Sequence, residues 1–137
     1  MKSKYLLLAK ALISIVLAFF MLFFATTFLN WFLKTPLPAQ LPEPAASIVG
    51  LSKLGFGYFG AMLVGVAIIC FFASSATASA LRKQVILSLA IADTIGFVLA
   101  LITQLSGKFS GLGWLIVVLW LVLALLLAYF YFLKPED

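Results

Sequence analysis

The sequence contains no histidine, a single cysteine and very few charges. The missing histidine excludes His-ligated haem and any His-based metal or acid–base site. One cysteine, Cys70, excludes both an intrachain disulfide and a CxxC redox pair. Cys70 stands between Ile69 and Phe71 and reads as a small buried apolar residue. Charged residues make up 9% of the chain and hydrophobic residues 66%, against ~25% and ~45–50% in average soluble domains. That balance describes a membrane protein. No catalytic, metal or cofactor motif stands in the sequence. No catalytic residue, metal or cofactor is therefore assigned, and an enzyme is not expected.

What the chain does have is long apolar runs. Runs beyond ~18 residues read as transmembrane helices. Four qualify, at about 6–32, 54–73, 85–105 and 112–133. Together they use most of the 137 residues and leave no room for a soluble domain. The expected fold is all-α: one integral membrane four-helix bundle over 1–137, with antiparallel up-down spans. A β-barrel is disfavoured, because barrel strands alternate polar and apolar residues and these runs are apolar on every face. The first run follows Lys2 and Lys4 and extends past Phe24 to Leu29. It is too long for a signal-peptide core and reads as an uncleaved anchor.

The net charge of +5 raises nucleic acid as a partner, but its placement points to lipid. With four spans, Lys2, Lys4, Lys10, Arg82, Lys83 and Lys134 share one side. Lys34, Lys53 and Lys108 share the other. Positive-inside bias then puts both termini in the cytoplasm. Trp31 and Trp114 fall at the outer interface, and Tyr5, Tyr129 and Tyr131 at the inner one, where amphipathic rings prefer to lie. The outer loop, 34–53, holds four of the five prolines, between Pro36 and Pro44. Alternating proline predicts a stiff, non-helical stretch. It reads as a spacer, with a lid over a ligand or partner as the functional alternative.

Two small-residue stripes stand out. Gly57, Ala61 and Gly65 recur every four residues in the second span, and Ser88, Ala92, Gly96 and Ala100 in the third. Such stripes let backbones approach closely, so these two spans are expected to pack groove against groove.

Asp93 is the only ionisable residue between Val85 and Leu105. An acid at that depth is costly and ordinarily faces the protein interior or a functional path. At 100° per residue it shares a face with Leu89, Gly96, Phe97, Ala100 and Gln104. On the first span, Lys10 and Ser14 also share a face. Taking Lys4 and Lys83 as the inner boundary, a rise of ~1.5 Å per residue puts Lys10 ~9 Å deep and Asp93 ~15 Å deep. A lysine stem closes that gap. Lys10 and Asp93 form the candidate intramembrane polar pair, with Ser14 and Gln104 as candidate supporting groups.

The stretch Asp93-Thr94-Ile95-Gly96-Phe97 to Gln104-Leu105-Ser106-Gly107, then Leu112-Gly113-Trp114 and Ala128-Tyr129-Phe130, carries a resemblance, as does Lys53-Leu54-Gly55. It resembles a broad set of small bacterial four-helix membrane proteins, loosely similar to the DoxX-like group. The resemblance spans most of the chain. It implies the four-helix fold and a bacterial cytoplasmic (inner) membrane, and the DoxX-like group includes accessory subunits of respiratory or redox complexes. The accessory expectation itself rests on the near absence of polar chemistry and the abundant helix-packing surface. It carries no catalytic residue over to this chain. The expected function is a non-enzymatic accessory or scaffolding protein. The alternative is a small transporter or lipophile-binding protein using Asp93. The expected partners are the lipid bilayer, other membrane subunits or further copies of the chain, and not nucleic acid.

Overall fold

A computed structural model describes residues 3–35, 45–76, 79–107 and 109–133. The expected stiff stretch from Pro36 to Pro44 lies outside the described residues. Five helices follow in order: α1 (Ser3–Phe23), α2 (Ala25–Phe32), α3 (Ala45–Ser75), α4 (Ser79–Leu105) and α5 (Gly113–Leu133). All but α2 are long and apolar enough to cross a membrane. The chain is an all-α four-helix bundle and an integral membrane protein. At ~1.5 Å per residue, the 21 residues of α1 and of α5 match a hydrocarbon core of ~30 Å. The 31 residues of α3 exceed it by about half again. The fourth span agrees with the sequence reading to within a residue. The second and third spans begin earlier than the apolar runs do, because α3 continues back through Lys53 to Ala45 and α4 through Gln84, Lys83 and Arg82 to Ser79. The expected outer loop, 34–53, is therefore helical from Ala45 on.

The first run is not one helix. It breaks at Phe24, whose backbone leaves the helical region at φ −130° and ψ 33°. Neither proline nor glycine is present to mark the break. The i→i−4 ladder survives on both sides: the Phe24 N–H bonds to the Phe20 carbonyl at 2.9 Å, and the Phe28 N–H to the Phe24 carbonyl at 2.8 Å. The bend therefore forfeits neither of these bonds. It lets the Phe28 ring stack on Phe20 at 6.2 Å and meet Phe56 of α3 at 6.4 Å. Phe28 is buried as a result.

The four spans form two hairpin-like pairs. α1 packs along α3, and α4 along α5, while α3 and α4 touch only sparsely. This corrects the groove-on-groove expectation. A Cβ added at Gly57 or Gly65 would meet open space, and Ala61 and Ser88 are exposed. The close approach on α3 is at Gly60 instead, where an added Cβ would lie 3.0 Å from Leu22 Cγ and 3.3 Å from the Ala18 carbonyl. Gly96 does sit at a close contact, but with α5: its added Cβ would lie 3.0 Å from the Trp120 ring. Ala92 and Ala100 line a cavity between the pairs. Four-residue spacing identifies a backbone that can be approached; it does not say which helix approaches it.

One core joins all four spans at the end of the bundle near Ser3 and Ser79. It contains Leu6, Leu7 and Ala11 of α1, Ala67, Cys70 and Ala73 of α3, Ile86, Leu89 and Ala90 of α4, and Leu127 and Phe130 of α5. A second core, of Ala18, Met21, Phe28 and Leu63, lies nearer the opposite end and holds only α1, α2 and α3 together. There the two pairs are tied by the loop before α5. Leu33 bridges Phe109, and the Ser110 N–H donates to the Phe32 carbonyl at 2.7 Å. The Ser110 hydroxyl donates to the Trp31 carbonyl at 3.0 Å. These bonds serve carbonyls that the end of α2 leaves without a helical partner.

Candidate functional site

The buried stripe of α4 runs Ile86, Leu89, Ala90, Asp93 and then stops. Residues on the same face beyond it, Gly96, Phe97, Ala100 and Gln104, are all partly exposed. Asp93 stands where α4 leaves the common core and becomes the wall of a cavity. On α1 the buried stripe Leu6, Leu7, Lys10, Ala11, Ser14 brings Lys10 to the same level.

Lys10 and Asp93 form a buried ion pair across the two halves of the bundle. Lys10 Nζ lies 2.6 Å from Oδ1 and 2.8 Å from Oδ2 of Asp93. Their side chains are 3% and 2% exposed, so solvent screening is slight. Such a pair is tolerated in a low-dielectric interior only when its geometry is close and its hydrogen-bonding groups are used. Lys10 uses its protons well. Two bonds reach the carboxylate, and the ammonium also lies 4.6 Å from the centre of the Trp120 ring, within cation–π range. Asp93 is less saturated: a carboxylate offers about four lone-pair sites, and among the described residues only Lys10 donates to it.

The supporting groups take other positions. Ser14 is buried one turn from Lys10, but among the described residues no hydrogen bond ties it to the pair. Gln104 is at the far end of the cavity, where its Nε2 donates to the Ser110 carbonyl at 3.1 Å. It anchors the loop rather than the pair. Trp120 was not among the expected site residues. Its signal was its depth: tryptophan favours membrane interfaces, whereas Trp120 lies mid-span in α5, seven residues past Gly113.

The cavity has a volume of about 540 Å³ and reaches from Lys10 and Asp93 at its floor to Gln104 and Phe109 at its roof. Eleven residues of α4 separate Asp93 from Gln104, or ~16 Å at the helical rise. Its walls are overwhelmingly apolar, with Phe28, Phe56 and Met62 on one side and Ile95, Leu99 and Ile116 on the other. The hydroxyls of Thr94 and Thr103 are occupied by the Ala90 and Leu99 carbonyls of their own helix. The site is thus a hydrophobic chamber with one concentrated polar feature. Among the described residues no three His, Cys, Asp or Glu side chains group as a metal site would need. In comparisons with protein-family models, curated proteins and solved structures, nothing matches the chain.

Proposed function

We propose that this membrane protein binds a lipophilic molecule in the chamber above the Lys10–Asp93 pair, without catalysing a reaction. The observation that carries this reading is the reach of the cavity: an apolar space of about 540 Å³ ends on a buried ion pair. Small-molecule sites typically measure ~300–1,000 Å³, with apolar walls and a few convergent polar groups. Ala100→Trp tests it by filling the chamber from a wall position. Solvent extracts of the purified wild-type protein should contain a lipophile at about one equivalent that extracts of the variant lack. Equal content in both would refute the reading.

A second reading, an accessory or scaffolding subunit, is favoured by α3. Ile48, Leu51, Leu54, Tyr58 and Met62 make a stripe along one side of that helix, and each is more than half exposed. Part of the stripe lies in the turns by which α3 exceeds a bilayer span. Co-purification in mild detergent, lost on replacing Ile48 and Leu51 with serine, would support this role. Both readings are compatible with a bacterial cytoplasmic membrane, which the resemblance implies, and with cytoplasmic termini, which rest on the six-to-three excess of basic residues on the terminal side. In a Cys70→Ala background, an impermeant thiol reagent on intact cells should label Lys34→Cys and not Ser3→Cys. The reverse pattern would invert the topology.

A further inference from the structure

The mouth of the chamber can be located from the exposure of its lining. Phe59 and Met62 on α3 are 40% and 69% exposed, and Ile95 and Leu99 on α4 are 56% and 59% exposed. All four also line the cavity. The lining residues on the α1–α5 side, Leu17, Ile116 and Trp120, are only partly exposed. The opening therefore lies between α3 and α4, on the side where the lining is exposed, and it faces the bilayer rather than water.

The floor selects the head of whatever enters. The charges of Lys10 and Asp93 cancel, and the surrounding walls are apolar. A head with net charge would be an uncompensated ion in a low-dielectric space. Lys10 has its protons committed to Asp93 and the Trp120 face. Asp93 retains acceptor capacity that no described residue uses. A bond from a neutral O–H or N–H donor to this carboxylate is charge-assisted, and so stronger than a neutral pair.

We propose that the chamber takes a neutral, single-chain amphiphile whose head carries a hydroxyl or N–H donor, entering sideways between α3 and α4 and donating to Asp93. This deepens the binding reading above and rests on it. A long-chain alcohol is the simplest member of the class.

The experiment uses the full chain in proteoliposomes and a tritiated long-chain alcohol bearing a chain diazirine. Photolabelling is competed with dodecanol or with dodecyl methyl ether, which keeps the chain and loses the donor. In the wild type, dodecanol should compete about tenfold better, the worth of one hydrogen bond to a charged group. In the Lys10→Met/Asp93→Leu double variant that preference should vanish while labelling persists. Leu99→Trp, at the exposed mouth, should depress labelling with either competitor absent. Equal competition by alcohol and ether in the wild type would overturn the donor-head assignment and leave lipophile binding standing. Failure of both competitors would overturn binding itself. If the double variant does not fold, the wild-type ratio alone decides.

Discussion

Removing one member of the Lys10–Asp93 pair should be worse than removing both. The two contacts of 2.6 and 2.8 Å join side chains that are almost fully buried. Breaking a buried pair from one side costs ~3–5 kcal/mol, because the survivor is left charged and unpaired, whereas apolar replacement of both partners is often neutral. The structure also predicts an order. In Asp93→Leu, Lys10 keeps the Trp120 face, worth ~0.5–2 kcal/mol, and its long stem can reach toward the inner surface. In Lys10→Met, Asp93 keeps no described donor, and its side chain is too short to escape. Lys10→Met should therefore be the most damaging, Asp93→Leu intermediate, and the double variant mildest. The assay is reversible unfolding in mixed micelles, with the four proteins arranged as a double-mutant cycle. A coupling below about 1 kcal/mol would refute the argument, as would a double variant less stable than either single one.

Other substitutions read the packing directly. Gly60→Leu should lower the melting temperature by overpacking the α1–α3 contact, a cost of ~1–3 kcal/mol. Gly65→Leu, with open space before it, should leave melting unchanged; equal effects at the two positions would contradict the helix pairing. Gly113→Ala should displace the Gln104 side chain that an added Cβ would strike. That breaks the Gln104–Ser110 bond and should cost about 1 kcal/mol, with faster hydrogen exchange in the loop before α5 as the direct readout.

The parts of this architecture that follow from composition along the chain were legible before any coordinates. Span number follows from run length, and the meeting of Lys10 with Asp93 follows from depth, since a 1.5 Å rise is insensitive to how the helices are arranged. Lateral arrangement was not legible. The stripe at Gly57, Ala61 and Gly65 is a genuine periodicity on α3, yet no helix packs closely against Gly57 or Gly65, and Gly60, between two of the stripe's members, makes the contact, with α1. Spacing fixes a face to within one residue in either direction, and one residue turns the helix by 100°. The bend at Phe24 was hidden for another reason. Kinks are ordinarily marked by proline, glycine or a bulge, and this one accompanies ring packing between Phe20, Phe28 and Phe56, which involves three helices.

The chamber itself poses an energetic problem whose solution bears on function. A sealed, empty apolar cavity costs ~24 cal/mol per Å³. For a volume of about 540 Å³ that is roughly 13 kcal/mol, as large as the whole stability of an ordinary domain, ~5–15 kcal/mol. The chamber is open at its mouth, so on the binding reading proposed above this cost is avoided by an occupant, and water is a poor filler where walls are apolar. With the mouth facing the bilayer, as proposed, a hydrocarbon chain is the filler at hand. The bundle holds the chamber open because its two helix pairs share a core only on one side of the ion pair, and the pair cross-links α1 to α4 at that boundary. It follows that stability in lipid-poor detergent should be limited by the void. Ala100→Trp places an indole there and should raise the melting temperature in such detergent by several degrees, with a smaller gain in lipid nanodiscs where chains already occupy the space. An equal shift in both media would mean that the chamber is no emptier in detergent than in lipid. A fall in both would mean that it is too tight to hold a chain at all.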